Sequence, residues 1–187
     1  MQRAVAQLYE GVGKWTGAHC VLLVCCPDTN SDGLAEYMER VGGMPASAVT
    51  SLVDGDVGKW QRVTWGTAAA ANGQLSTNLL NILPGRVFEF TARIRWDLPA
   101  AQVMGMFTSM MSVNWVNAAW SQTGYEFLAS PPPNAKGEMT VCVRATTPAN
   151  TANGNLMFLS ANGSKTPTAP AIAEISQLTV RDITALV

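Results

Sequence analysis

The sequence predicts an all-β fold, an antiparallel β-sandwich that contains at most one or two short helices. Gly and Pro interrupt the chain at short intervals, and the segments between them have strand length and alternate apolar with polar residues. The turn-rich stretches 130–137 and 146–155 exclude helices from those regions. Because the 187 residues contain no linker or internal repeat, we expect a single domain, 1–187.

Two regions permit more than one interpretation. In residues 20–43, the segment GLAEYMERVGG spaces its apolar residues as one face of a helix that two glycines end. Alternatively, this segment is the second arm of a hairpin whose first arm is VLLVCC. The Met-rich residues 97–120 are compatible with a pair of strands or with a short helix.

The middle of the chain predicts consecutive strands. KWQRVTW sets Val63 and Trp65 on one face and Arg62 and Thr64 on the other. GQLSTNLLNILPG ends in a Pro-Gly turn at 84–85, which predicts a hairpin with the strand that follows.

That next strand, PGRVFEFTARIRW at residues 84–96, has the clearest alternation. One of its faces is apolar and predicts the core, with Trp96 at its end. The other face carries Glu89, Arg93 and Arg95. These charged side chains are expected to face water, a sugar or another subunit.

The later strands follow the same pattern. TGYEFLA places Tyr125, Phe127 and Ala129 on one face, and EMTVCVRAT alternates in the same way. In the closing segment, AIAEISQLTVRDIT, the alternation changes phase near Gln177, as a β-bulge would cause.

The composition argues against charged partners. The net charge is −1 and the pI is about 5.8, so no basic field exists that would attract nucleic acid or an anionic membrane. Charged residues make up 13%, about half of the roughly 25% that is typical of soluble domains. The polar surface therefore consists largely of neutral side chains, which suits an interface or a β-rich extracellular-type protein.

The stretch DTNSDGLAEYME matches the spacing of a calcium-binding loop. Asp28, Asn30 and Asp32 would supply the first three side-chain oxygens, and Glu39 would be the bidentate ligand. Pro27 and a strand-like run precede the loop, where an entering helix is required. A polar hairpin turn, or a helix N-cap by Asp32, is the alternative. Apart from this candidate Ca²⁺ site, the sequence predicts no cofactor.

Six tryptophans suggest glycan binding, because flat aromatic faces stack on sugar rings. Trp115, Trp120 and Tyr125 lie close together in the sequence. Amides lie among them: Asn114, Asn117 and Gln122. The alternative is that tryptophans at strand spacing pack in the core or in an interface.

Nothing in the sequence indicates catalysis. His19 is the only histidine, and no G-x-S-x-G nucleophile motif is present. We therefore predict that the protein is not an enzyme.

Three segments resemble the jelly-roll β-sandwich of family 4/9 carbohydrate-binding modules. GQLSTNLLNI leads into LPGRVFEFTARIRW, which is similar to that family's turn and aromatic strand, and IAEISQLTVRDIT resembles its closing strand. The resemblance covers residues 58–187, and residues 1–57 match no family that we can name. It implies a jelly-roll fold and a glycan as one candidate partner.

The closing LTVRDIT also resembles the ends of tailed-phage virion proteins. With no export signal at the N-terminus, the resemblance implies a capsid decoration (cement) protein made in the host cytoplasm and located in the virion. Its partners would be the major capsid protein and itself, as a homotrimer. Glu89, Arg93 and Arg95 would then lie at a subunit or capsid interface. The alternative is a glycan-binding module or a tail or fibre accessory protein for cell-surface attachment.

Overall fold

A computed structural model describes residues 28, 31–35, 38–100, 105–162 and 166–187, together with the backbone of 20–22. The strands are β1 (Cys20–Leu22), β2 (Glu39–Val41), β3 (Ala48–Gly55), β4 (Gly58–Trp65), β5 (Asn72–Leu79), β6 (Val87–Asp97), β7 (Phe107–Val116), β8 (Gln122–Ala129), β9 (Lys136–Thr146), β10 (Asn153–Asn162) and β11 (Ala171–Asp182). A 3-10 turn, Thr184–Leu186, follows β11. The predicted all-β fold is confirmed.

The strands form two antiparallel sheets that pack face to face as a jelly-roll sandwich. Sheet A has the strand order β3-β4-β11-β6-β9, and β1 also pairs with β11. Sheet B has the order β2-β5-β10-β7-β8. Sequential strands therefore often lie in different sheets, as the chain crosses the sandwich between β5 and β6 and again between β6 and β7.

The core lies between the sheets and is built by alternation. Along β6 every second side chain is buried from Phe88 to Trp96, as the sequence predicts. The rings of Phe88 and Phe90 lie 6.1 and 6.3 Å from the ring of Trp115, which belongs to β7 of the opposite sheet. These aromatic contacts join the two layers at the centre of the sandwich.

The predicted hairpin at the Pro-Gly turn is wrong. Strand β5 pairs with β2 and β10 in sheet B, whereas β6 pairs with β11 and β9 in sheet A. Gly85 has a φ of 72° and its amide donates to the carbonyl of Thr147, so the turn is held by the β9–β10 connection. The turn therefore carries the chain from one sheet to the other.

The structure also tests the predictions for residues 20–43, for the Met-rich segment and for the closing strand. Strand β2 occupies part of the predicted helix in 34–43. Strand β1 pairs with β11 and β2 pairs with β5, so the described residues form no hairpin between these segments, and residues 23–26 of VLLVCC lie outside the described ranges. Residues 107–116 form a strand. The register shift in β11 and the φ of 51° at Gln177 confirm the predicted β-bulge. Among the described residues, no helix has the length and apolar character needed to cross a membrane.

Candidate functional site

The outer face of sheet A is charged, and its charges are paired within the chain. Glu174 is buried and accepts a hydrogen bond from Arg62 Nε at 2.7 Å on one carboxylate oxygen and one from Arg95 Nε on the other. These three residues are direct cross-strand neighbours on β4, β11 and β6. The carboxylate is therefore fixed between two guanidinium groups.

Trp60 is buried on this same outer face. The guanidinium carbon of Arg95 lies 4.0 Å from a ring centroid of Trp60, and that of Arg93 lies 5.4 Å away. Both distances fall within the range of cation–π attraction. A Cβ at Gly55 would collide with the Trp60 ring, so only glycine permits this close approach by the β3–β4 hairpin.

The predicted interface residues have partners in their own sheet. Arg93 donates to Glu138 through Nε at 2.7 Å and to Asp56 through Nη1 at 3.0 Å, and these bonds raise the pKa of Arg93. The hydrogen bond from Arg93 lowers the pKa of Asp56, although burial opposes this shift. Glu89 lies 3.4 Å from Arg144 Nε. The interface role of Glu89, Arg93 and Arg95 stays a prediction, and a partner would have to compete with these ion pairs.

The outer face of sheet B is different, since neutral side chains form two rows across its strands. The first row, which we call the asparagine row, consists of Asn78 on β5, Asn155 on β10, Asn114 on β7 and Tyr125 on β8. Each of these residues is the direct cross-strand neighbour of the next. Asn155 Nδ2 donates to Asn78 Oδ1 at 2.9 Å, so two of the amides already lie in contact.

The second row lies one pleat away and consists of Ser76, Met157, Ser112 and Phe127. Tyr125 links the two rows, because its hydroxyl donates to Ser112 Oγ at 2.9 Å. The rings of Tyr125 and Phe127 meet edge to face with centroids 5.0 Å apart. They are 40% and 66% exposed, so the two rows end at an aromatic pair that is open to solvent.

Asn114 holds unused hydrogen-bonding capacity at the middle of this face. Its Oδ1 is buried and accepts no hydrogen bond from any residue that the structure describes. A buried acceptor without a donor costs about 1–3 kcal/mol. A ligand donor would recover that energy only if the Asn114 side chain turned outward.

The structure corrects one of the predicted glycan contacts and leaves two exposed. Trp115 is fully buried in the core, and its Nε1 lies 3.4 Å from Glu126 Oε1, so no face of the ring is open to a sugar. Trp120 is 51% exposed and has a φ of 61° in the turn between β7 and β8. Tyr125 belongs to the asparagine row. The sequence-based argument missed Asn78, Asn155 and Phe127.

The predicted calcium loop is not formed by the residues that the structure describes. Both carboxylate oxygens of Asp28 accept backbone N–H groups, from Asp32 at 3.0 Å and from Gly33 at 2.9 Å. Glu39 is exposed on β2 and pairs with Ser76. No group of three acidic, His or Cys side chains suited to a metal ion occurs in the described ranges, and Asn30 lies outside them. In the described part of this loop, Asp28 holds a polar turn, and Asp32 Oδ1 accepts the N–H of Leu34 at 2.8 Å.

Comparison with known proteins shows the fold. No protein-family model matches the sequence, and no curated protein matches it. Three solved structures illustrate the similarity. The enzymatically active domain of tailspike protein 4 from bacteriophage CBA120 has a TM-score of 0.59 at 10% identity, over 84% of this chain and 21% of that chain.

The other two are carbohydrate-binding modules. The C-terminal family 22 module of Clostridium thermocellum Xyn10B has a TM-score of 0.55 at 13% identity, over 86% of this chain and 99% of that one. The tandem CBM22-1-CBM22-2 domain of Paenibacillus barcinonensis Xyn10C has a TM-score of 0.56 at 11% identity, over 91% of this chain and 50% of that one. This chain therefore has the jelly-roll fold found in carbohydrate-binding modules and in a phage tailspike domain.

Proposed function

We propose that this protein is a non-catalytic glycan-binding module that binds a neutral oligosaccharide on the outer face of sheet B. The observation that carries the proposal is the asparagine row, which ends at the exposed aromatic pair of Tyr125 and Phe127. The jelly-roll likeness to modules described as carbohydrate-binding supports it.

The chemistry of the two rows suits sugar hydroxyls. Each asparagine amide offers two donors and a carbonyl acceptor, which matches hydroxyl groups that both donate and accept. Neither row contains a charged side chain between β5 and β8. Recognition of a neutral ligand therefore requires no compensation of a charge.

The geometry favours an extended ligand over a single sugar ring. The asparagine row crosses four neighbouring strands, which spans about 14 Å at the usual interstrand spacing. The exposed rings lie at the β8 end and supply an apolar surface for the face of a pyranose ring. An oligosaccharide laid across the strands would contact both the amides and the rings.

The test is a calorimetric titration of the protein with neutral oligosaccharides, including xylohexaose. Phe127→Ala and Asn114→Ala should each weaken binding by about tenfold, since each removes roughly 1–1.5 kcal/mol of stacking or hydrogen bonding. Val49→Ala is the matched control, because Val49 is a 59% exposed apolar residue of β3 in the other sheet. Equal binding by all three variants, or binding by none of the oligosaccharides, would reject the proposal.

A second candidate function is the virion component that the sequence suggests, a capsid decoration protein that binds the major capsid protein and forms a homotrimer. The likeness to a phage tailspike domain favours a virion setting, and the exposed rings of edge strand β8 offer a contact surface. Light scattering on the purified chain tests self-association. A trimer that Phe127→Ala dissociates would favour this candidate, and a monomer that binds oligosaccharide would favour the first.

A further inference from the structure

A groove of about 510 Å³ lies on the outer face of sheet A, on the side of the sandwich opposite to the asparagine row. It runs over the ends of β4, β11, β6 and β9. Its lining includes Arg62, Arg95, Asp97, Lys136, Ile172 and Glu174. This volume lies within the range of small-molecule sites, roughly 300–1,000 Å³.

The charges that line this groove balance overall, with three cations and three carboxylates, but they are unevenly placed. Arg62 and Arg95 share the single carboxylate of Glu174, so the cluster of three carries one net positive charge. Lys136 Nζ lies 2.6 Å from Asp97, and that pair is neutral. Glu138 also lines the groove, and its carboxylate is paired with Arg93, which lies outside the lining. An anion therefore meets an attractive site at the two arginines.

The two guanidinium groups are also held in place with donors to spare. Each of them donates to Glu174 through Nε, and neither makes a further hydrogen bond to the residues that the structure describes. The stacking of Arg95 on Trp60 fixes its plane. The terminal N–H groups of Arg62 and Arg95 remain for a ligand oxyanion, and guanidinium groups bind carboxylates through two such donors.

We propose that this groove binds an acidic sugar, with the carboxylate of a uronic acid on Arg62 and Arg95. The half-buried side chain of Ile172 would contact the sugar ring, and Lys136 and Asp97 would bind its hydroxyl groups. The site is independent of the neutral glycan face. Because it lies on the other sheet, each site can fail without the other.

The experiment is an NMR titration of the ¹⁵N-labelled protein with glucuronic acid, with glucose as the neutral counterpart. Glucuronic acid should shift the Nε–H signals of Arg62 and Arg95 and the backbone amides of Gly137 and Ile172, and glucose should not. Arg62→Lys keeps the charge and loses the two-donor geometry, so binding should weaken by about fivefold or more.

Two control variants distinguish binding in this groove from binding elsewhere on the surface. Arg144→Gln removes an exposed arginine of the same sheet that does not line the groove, and Tyr125→Ala alters the asparagine row. Neither should change the affinity for glucuronic acid. The proposal would be overturned if Tyr125→Ala lost binding of glucuronic acid, or if Arg144→Gln lost as much affinity as Arg62→Lys. It would also be overturned if inorganic sulfate bound more tightly than glucuronic acid, or if no signals of the groove shifted.

Discussion

The two outer faces of the sandwich have the same architecture and opposite chemistry. On sheet A, opposite charges stand side by side across the strands, as in Arg62, Glu174 and Arg95. On sheet B, amides, hydroxyls and one thioether occupy the equivalent positions. The sequence is poor in charge at 13%. Most charged residues of the described strands lie in sheet A, whereas the strands of sheet B carry Glu39, Arg40 and Glu126.

The two faces therefore differ in how far their side chains satisfy one another. Cross-strand ion pairs on sheet A satisfy one another and fix the register of the central strands. The side chains of sheet B leave a buried acceptor at Asn114 and two exposed rings at the edge. Sheet A therefore neutralises most of its own charges, apart from the spare N–H groups of Arg62 and Arg95, whereas sheet B presents a buried acceptor without a donor and two exposed rings.

The largest expected effect concerns Trp60, the aromatic residue beneath the charged face. Trp60→Ala should lower the free energy of unfolding by about 3–5 kcal/mol, because it removes a buried ring and two cation–π contacts. Trp120→Ala is the control, since Trp120 is half exposed, and it should cost less than about 0.5 kcal/mol. Urea denaturation measures both, and similar losses would mean that the charged face is not a packed layer.

A smaller effect is expected when one negative charge is added to each face. Asn155→Asp places a carboxylate where an amide donates to Asn78 Oδ1, so two acceptors face each other at a cost of about 1–2 kcal/mol. Thr140→Asp places the same charge on sheet A, at an exposed position opposite Arg93, and should lower the free energy of unfolding by less than about 0.5 kcal/mol.

The stability of the Asn155→Asp and Thr140→Asp variants should also depend differently on pH. The new carboxyl at 155 should have a raised pKa, so its destabilisation is absent below about pH 3.9 and grows as the pH rises through the folded-state value. Thermal melts at several pH values measure this. An equal loss of stability at positions 155 and 140 would show that the two faces tolerate charge alike.

The smallest effect concerns Asp56, whose pKa the hydrogen bond from Arg93 lowers. A lowered pKa contributes stability that is present above the unfolded value of about 3.9 and is lost as the pH falls through the folded value. Asp56→Asn should therefore reduce the difference in melting temperature between pH 7 and pH 2. An unchanged difference would mean that this exposed ion pair does not contribute.

The alternation of side chains was predictable because period-2 patterning survives in the sequence. It indicated the apolar face of β6 and the bulge at Gln177, and both are confirmed. The Pro-Gly turn misled the prediction, since a turn specifies a reversal of the chain and not the sheet that the chain enters. The crossing from β5 to β6 depends on pairing with β10 and β11, which lie far along the sequence.

The candidate site was less predictable for a related reason. A signal for Trp115 existed, because Met111 and Val113 share its face and place it inward. The asparagine row joins Asn78, Asn114 and Asn155 from three distant segments, and only the register of β5, β10 and β7 brings them together. A single sequence contains no information on that register.

The most direct test of the central claim is chemical-shift mapping of a bound neutral oligosaccharide. With xylohexaose and other neutral hexasaccharides, we expect shifts in the side-chain amides of Asn78, Asn114 and Asn155 and in the backbone of β8. The signals of Arg62 and Arg95 on sheet A should stay unchanged. Shifts confined to sheet A, or none with any neutral oligosaccharide, would contradict the assignment of glycan binding to the asparagine row.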